Sequence, residues 1–285
     1  MNEKLVLYNG VEIPKIGFGV YRMTDPKECE QAVLNAIQAG YRLIDTAAAY
    51  ENEEAVGKAI KKSGVKREEL FITTKLWVTD TSYEKAKAGF NRSLERLGVE
   101  YIDLYLIHQP YNDLYGAWRA LEELYNERKI KAIGVDNFTE DRLADFIFFN
   151  QIKPMVNMIE CNVYFQRENE LKYLKEKNIL MEAWSPLNAG KKSIFEEPIL
   201  IEIAEKYHKT IPQIILRWLL ERGIVPVVKS SNIDRIKENI DIFDFELTSE
   251  EMRMISTLDT GKSSSLRKTG EAVESFLKMV DKFNV

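Results

Sequence analysis

The sequence predicts a (β/α)8 TIM barrel with an N-terminal β-hairpin and a C-terminal helical tail, and three observations carry this prediction. Eight short runs rich in β-branched and aromatic residues alternate with segments of helical periodicity. Helix-start residues stand between the runs, and no Gly-, Ser- or Pro-rich linker divides the chain. We therefore expect residues 1–285 to form a single barrel domain. An open doubly wound sheet is the alternative.

The eight runs predict the eight strands of the barrel. Each run is short and mostly apolar, which is typical of parallel strands buried on both faces. The runs cover residues 16–19, 41–45, 70–75, 101–108, 130–135, 154–160, 179–184 and 224–228.

Capping boxes mark the starts of several helices between and after the strands. They are formed by Asp25 with Glu28, Thr210 with Gln213, and Thr248 with Glu251. Pro26 suits the first position of the first helix, and Gly40 suits its end.

Two segments lie outside the eight units. Residues 4–18 alternate apolar and polar around Asn9-Gly10, which predicts a hairpin that covers the bottom of the barrel. Residues 260–270 have the composition of a flexible surface segment, and residues 271–283 predict an amphipathic final helix.

Composition and charge exclude several classes of partner. The formal net charge is -5 without a basic block, which argues against nucleic acid and anionic membrane surfaces. Cys29 and Cys161 stand far apart, in no zinc or redox spacing, so we expect reduced thiols and no metal site. The sequence shows no signal-peptide core and no apolar stretch of about 20 residues. We therefore expect a cytoplasmic protein.

Polar residues end three consecutive predicted strands. Asp45, Lys75 and His108 take these positions, and Tyr50 follows one short loop after Asp45. Because the carboxyl ends of barrel strands meet at one face, we expect these side chains to converge. An unpaired buried charge costs several kcal/mol, so Asp45 and Lys75 should form an ion pair.

Tyr50 gains a chemical role from this pair. A phenol has a pKa of about 10, and the nearby ammonium of Lys75 would lower it. Tyr50 could then donate a proton to a carbonyl oxygen while His108 orients that oxygen. A purely structural Asp45–Lys75 ion pair is the other interpretation.

Six stretches carry a resemblance over nearly the whole chain. They are "DTAAAYENE", "TTKLW", "LIHQP", "GVDNF", "AWSPL" and "KSSNIDRIKEN". In this order and at these spacings the chain resembles the aldo-keto reductase family, in its diketogluconate-reductase-like or prostaglandin-F-synthase-like branch. The resemblance implies a monomeric barrel that reduces small aldehydes or ketones with NADPH. The cofactor would lie across the top of the barrel without a Rossmann loop, and "GFGVYR" indeed lacks the third glycine of that fingerprint.

The resemblance also implies roles for individual residues. Tyr50 corresponds to the family's proton donor, and Asp45, Lys75 and His108 complete its tetrad. The implied cofactor contacts are Val20, Tyr21, Asp45, Asp136, Asn137, Met158, Trp184, Ser185, Leu187, Lys229, Ser230, Ser231, Arg235, Glu238 and Asn239. The substrate wall would comprise His108, Trp77, Tyr21, Gln109 and Tyr111.

Within that set, each part of the cofactor has its own contacts. Trp184 would stack on the nicotinamide ring, and Ser185 and Leu187 would grip the pyrophosphate. Lys229, Ser230 and Arg235 would hold the 2'-phosphate, since a guanidinium fork and a compact ammonium suit a dianion. Glu238 and Asn239 would contact adenine.

Two residues depart from the family pattern around the nicotinamide. Asp136 and Met158 replace the usual Ser and Gln that hold the carboxamide, whereas Asn137 is retained. A carboxylate at Asp136 would attract the cationic oxidised ring and favour NADP+ over NADPH.

Three other functions stay open. A Schiff-base aldolase would use Lys75 as its nucleophile, although an Asp45 partner would keep that lysine charged. A cofactor-sensing module would bind NADPH with little turnover. A glycosidase would need a carboxylate pair, for which only Asp45 and Glu160 are available.

Overall fold

A closed barrel of eight parallel strands forms the centre of the computed structural model, which describes residues 3–263 and 269–280. A separate pair of antiparallel strands precedes it. The strands are β1 Lys4–Val6, β2 Glu12–Pro14, β3 Gly17–Gly19, β4 Leu43–Asp45, β5 Phe71–Leu76, β6 Ile102–Ile107, β7 Ile130–Asp136, β8 Val156–Glu160, β9 Leu180–Trp184 and β10 Val225–Val228. The predicted (β/α)8 barrel is therefore confirmed, and the open sheet is excluded because β10 pairs with both β9 and β3.

Helices cover the outside of the barrel. They are α1 Pro26–Ala39, α2 Glu53–Ser63, α3 Tyr83–Leu97, α4 Leu114–Asn126, α5 Glu140–Phe149, α6 Glu168–Glu176, α7 Pro198–Tyr207, α8 Ile211–Glu221, α9 Ile233–Ile240, α10 Ser249–Ser256 and α11 Gly270–Val280. A short 3-10 helix, Ala48–Tyr50, follows β4. No helix in the described ranges is long and apolar enough to cross a membrane.

The predicted caps set the helix ends. Asp25 accepts a hydrogen bond from the Glu28 backbone N–H at 2.8 Å, with proline at the start of α1. Gly40 ends that helix at φ 110°, a left-handed conformation that costs glycine little. The capping boxes that begin at Thr210 and Thr248 are both formed. The sequence signals thus fix where these helices begin and end.

The hairpin lies at the amino-terminal end of the barrel. Strand β1 pairs with β2, and Gly10 adopts φ 86° in the turn. Asn9 Nδ2 donates to the Lys131 carbonyl at 3.0 Å, next to the start of β7, and Ile13 is fully buried. The hairpin therefore covers the bottom of the barrel, as predicted, and leaves the carboxyl ends of the strands open.

Helix α11 lies at the opposite end. Phe276 and Val280 pack with Val78, Trp77 and Tyr111 in a small apolar cluster separate from the main core. The helix thus closes one side of the barrel mouth. Residues 264–268 of the predicted surface segment and residues 281–283 of the predicted final helix lie outside the described residues.

Candidate active site

A cleft of about 1560 Å³ opens at the carboxyl ends of the strands. Strand ends, the loops after them and α11 form its walls. The predicted site residues that line it are Tyr21, Asp45, Tyr50, Trp77, His108, Gln109, Tyr111, Asp136, Asn137, Met158, Trp184, Ser185, Leu187, Lys229, Ser230, Arg235, Glu238 and Asn239. One cavity thus gathers residues that are spread over more than 200 positions of the sequence.

Three predicted site residues do not line the cleft. Lys75 is fully buried and reaches the cleft only through Asp45 and Tyr50. Val20 is also fully buried, and its carbonyl accepts a hydrogen bond from Asn52 Nδ2 at 3.0 Å. Ser231 is exposed and is absent from the cleft lining. The structure therefore does not bring Val20 and Ser231 to the cleft wall.

Asp45, Lys75 and Tyr50 meet at the cleft floor. Lys75 Nζ donates to both Asp45 oxygens, at 2.7 and 2.6 Å, and to the Thr46 carbonyl at 3.0 Å. The Tyr50 hydroxyl lies 3.5 Å from the same Nζ. Because Lys75 and Asp45 are both nearly inaccessible to solvent, the predicted ion pair is a buried one. The hydrogen bonds to Asp45 hold the Lys75 ammonium beside the Tyr50 hydroxyl.

Burial, rather than Lys75, decides the pKa of Tyr50 in the ligand-free protein. Burial raises this pKa, Lys75 lowers it, and Asp45 and Asp136 raise it further. The net direction is upward, so the expected net lowering is wrong, although Lys75 acts in the predicted direction. Burial lowers the pKa of Lys75, yet Asp45, Tyr50 and Asp136 outweigh it and raise that pKa. At neutral pH Tyr50 is a protonated donor and Lys75 a cation.

Aromatic rings pack near the Tyr50 ring in the cleft wall. The centroids of the Tyr50 and His108 rings lie 5.5 Å apart, and those of Tyr21 and Tyr50 lie 5.1 Å apart. Trp77 stands edge-on to His108 at 5.1 Å and to Phe276 at 5.9 Å. Aromatic rings therefore form much of the cleft wall around Tyr50.

Asp136 is the second carboxyl group on the floor. It is 2% exposed, and Oδ1 has no hydrogen-bond partner among the described residues. His108 Nε2 lies 3.8 Å from Oδ2. Burial raises the pKa of Asp136 well above its usual range; Lys75 opposes this shift and Asp45 adds to it. Burial thus favours the protonated form of Asp136 in the ligand-free protein, and the attraction of its carboxylate to the oxidised ring stays a prediction.

The neighbours of Asp136 include a retained amide and a hydrophobic replacement. Asn137 Oδ1 accepts from Trp184 Nε1 at 3.0 Å, and Nδ2 lies 3.3 Å from the His108 carbonyl, to which it donates. Asn137 therefore fixes the indole ring at the cleft wall. Met158, in register with Asp136 on the next strand, is buried and offers no hydrogen-bond donor.

The outer part of the cleft is basic. Lys229 and Arg235 are exposed, and no salt bridge joins either of them to a carboxylate of the described residues. Nearer the floor, the buried Ser185 Oγ has no partner among those residues. The unpaired Ser185 hydroxyl can donate a hydrogen bond to a ligand, and Lys229 and Arg235 can bind its anionic groups. These three residues fit a phosphorylated dinucleotide.

Several wall residues were missed by the sequence interpretation. Helix α11 contributes Val273, Phe276, Met279 and Val280, α5 contributes Arg142, and the loops contribute Arg22, Arg167 and Lys191. Apolar residues at helical spacing predicted the buried face of α11, but no local signal indicates where that helix docks. Glu182, buried in the middle of β9, was also missed, although a charge inside an apolar run is a visible signal.

The geometry gives little support to a Schiff-base aldolase or to a glycosidase. Lys75 is inaccessible and held as an ammonium, which is a poor nucleophile for a Schiff base. The Asp45 carboxylate is bound to Lys75, and Glu160 accepts a hydrogen bond from Ser263. Within the described ranges, no group of His, Cys, Asp and Glu could hold a metal ion.

Fold and site together define a class: a parallel (β/α)8 barrel with an Asp-Lys-Tyr-His cluster at its C-terminal mouth. A model of the Aldo/keto reductase family matches residues 15–260, and the chain belongs to this family. The resemblance seen in the sequence is therefore confirmed.

Similar proteins span almost the same length. The chain is 48% identical to a glyoxal reductase of Bacillus subtilis, with 91% of this chain and 94% of the relative covered. It is 47% identical to a 9,11-endoperoxide prostaglandin H2 reductase of Trypanosoma cruzi, with 90% and 92% covered. An aldo-keto reductase of Bombyx mori, solved in complex with NADP, has a TM-score of 0.88 at 34% identity, with 92% and 94% covered.

Proposed function

We propose that this protein reduces small aldehydes or ketones to alcohols with NADPH, and that Tyr50 donates the proton. Membership of the Aldo/keto reductase family supports carbonyl oxidoreduction. The observation that carries the proposal is the Tyr50 hydroxyl at the cleft floor, 3.5 Å from a lysine that is itself bound to Asp45.

Two groups of residues support NADPH as the cofactor: the basic rim of the cleft, formed by Lys229 and Arg235, and the unpaired Ser185 hydroxyl. Lys229, Ser230 and Arg235 would hold the 2'-phosphate, and Ser185 would hold the pyrophosphate. The NADP complex of the Bombyx mori relative favours the same dinucleotide. When bound, NADPH supplies the hydride that reduces the carbonyl carbon.

The protein's own residues would supply the proton and position the substrate. Tyr50 gives its proton to the carbonyl oxygen as negative charge develops there. Lys75 stabilises the resulting phenolate, and the two hydrogen bonds to Asp45 hold the ammonium in place. His108, whose ring centroid lies 5.5 Å from that of Tyr50, would orient the carbonyl oxygen.

The aromatic wall favours a small carbonyl compound. Tyr21, Trp77 and Phe276 form part of the cleft wall near Tyr50, and Gln109 adds one polar group to it. Relatives named as reductases of glyoxal and methylglyoxal make short dicarbonyl compounds the first substrates to test. A monomeric state, a cytoplasmic location and a single domain over residues 1–285 stay predictions.

A substrate panel followed by NADPH absorbance tests this function. The panel contains glyoxal, methylglyoxal, an aromatic aldehyde and a sugar aldehyde, each with NADPH and with NADH. We expect steady turnover of at least one short carbonyl compound, with NADPH preferred. Tight NADPH binding without turnover of any member would instead support a cofactor-sensing module.

A further inference from the structure

The inference concerns Asp136 and rests on the proposed cofactor. Asp136 lines the cleft although it is 2% exposed, and its Oδ1 makes no hydrogen bond within the described part of the chain. A buried polar atom of this kind costs free energy unless a ligand completes it. The group is therefore placed to contact whatever occupies the cleft floor.

The acidic side chains near Asp136 outnumber the cations beside them. Asp136 and Glu182 are both in register with Met158 on the strand between them, and both are buried. Together with Asp45 they give three acids near one cation, Lys75, which Asp45 already binds through both oxygens. Among the described residues, His108 and Tyr50 are further titratable groups that face Asp136. With one ammonium for three acids, Asp136 lacks a cation of its own.

We propose that Asp136 is a recognition residue for the oxidised cofactor, which it binds as a carboxylate after releasing the proton that it carries in the free protein and in the NADPH complex. The oxidised nicotinamide ring is cationic and the reduced ring is neutral, so only the oxidised form provides the missing positive charge. The raised pKa of Asp136 in the ligand-free protein agrees with the protonated starting state. An opposite charge nearby favours ionisation.

The proton count of the step is balanced. On NADP+ binding the Asp136 O–H bond breaks, its electron pair stays on the carboxylate, and the proton passes to bulk water; no bond of the cofactor changes. During turnover one proton must enter for each alcohol formed, because Tyr50 has to be reprotonated. The proton that Asp136 loses when the ring becomes cationic equals that requirement, and Asp136 takes up a proton from water again when NADPH replaces NADP+.

Calorimetric titration tests the proposal. The native protein is titrated with NADP+ and with NADPH from about pH 6 to about pH 9, in two buffers of different ionisation enthalpy, which yields the number of protons released. Both cofactors carry the same phosphates, so contributions from the basic rim cancel in the difference. We expect NADP+ to release more protons than NADPH, by about 0.5 to 1 per site at the maximum.

Four variants test whether the extra proton released on NADP+ binding comes from Asp136. In Asp136→Asn and Asp136→Ser the difference should fall below about 0.2 protons, whereas Tyr50→Phe and Glu182→Gln should retain it. An undiminished difference in both Asp136 variants, or its loss in Tyr50→Phe, would overturn the inference, as would equal proton release in the native protein. Absence of binding by either cofactor would overturn the proposed function as well, and is distinguishable because the binding heat itself disappears.

Discussion

The floor and the rim of the cleft hold charge in opposite ways. On the floor, Lys75 and Asp45 are nearly inaccessible to solvent and are joined by two hydrogen bonds. On the rim, Lys229 and Arg235 are exposed and form no salt bridge with the described residues. Floor charges therefore depend on their partners for stability, whereas rim charges are solvated and remain available for a ligand.

Two aspartates on the floor extend this comparison. Asp45 is 3% exposed and Asp136 is 2% exposed, and each ends a barrel strand. The Lys75 ammonium lies 2.6 Å from Asp45 Oδ2. The basic nitrogen that the described residues bring close to Asp136 is His108 Nε2, which lies 3.8 Å from Oδ2. Burial raises the pKa of both carboxyl groups, and among the described residues only Asp45 has a hydrogen-bonded ammonium that opposes the rise directly.

Removal of the Lys75 ammonium should give the largest effect. Lys75→Met leaves Asp45 buried without a partner, which should lower the free energy of unfolding by about 3–5 kcal/mol. Urea unfolding at neutral pH measures the change. Lys75→Met combined with Asp45→Asn should recover part of the loss. A loss below about 1 kcal/mol would show that the pair does not hold the floor together.

Glu182 should give a smaller effect that depends on pH. Burial is the main cause that raises its pKa from 4.5 to about 8; Asp45 and Asp136 add to the rise, and Lys75 opposes it. Below pH 4.5 the Glu182 carboxyl is neutral in both the native protein and the unfolded chain. Between there and about pH 8 the unfolded chain loses the proton while the native protein keeps it, so the native protein loses stability as pH rises.

Glu182→Gln removes that titration. Relative to the native protein, the variant should gain about 2–4 kcal/mol of unfolding free energy between pH 4.5 and pH 8. Urea unfolding at several pH values measures the gain. Glu176→Gln, at an exposed position of α6, is the matched control and should show no such trend. A flat difference for Glu182→Gln would mean that the buried carboxyl does not titrate in this range.

The rim should respond in binding and not in stability. Arg235→Ala should weaken NADPH about 10- to 100-fold while changing NADH affinity less than about threefold, since only NADPH carries the 2'-phosphate. The free energy of unfolding should change by less than about 0.5 kcal/mol. Fluorescence titration measures both affinities, and Lys237→Ala on the same helix is the control. Equal losses for both cofactors would remove Arg235 from phosphate recognition.

Met158→Gln should give the smallest effect. A restored hydrogen bond to the carboxamide, about 1 kcal/mol, should tighten NADPH and NADP+ alike by about fivefold. Met158→Leu keeps the site apolar and should leave both dissociation constants within about twofold. Unchanged affinity in Met158→Gln would indicate that the amide does not reach the carboxamide.

The strands and most of the site could be predicted because they depend on local signals. Apolar runs gave the strands, and parallel register brings their polar ends together at one face. The net pKa directions of Tyr50 and Asp136 could not be predicted, because they depend on burial depth and on distances between strands. The position of α11 was also beyond local patterns, since it follows from contacts such as that of Phe276 with Trp77.

The most direct test of the central claim is the comparison of native protein with Tyr50→Phe. With the best carbonyl substrate of the panel, kcat should fall about 100- to 10,000-fold, while the dissociation constant of NADPH stays within about threefold. Tyr173→Phe, on α6 outside the cleft, should match the native protein in both quantities. Retention of most of the turnover in Tyr50→Phe, with NADPH still bound, would contradict Tyr50 as the proton donor.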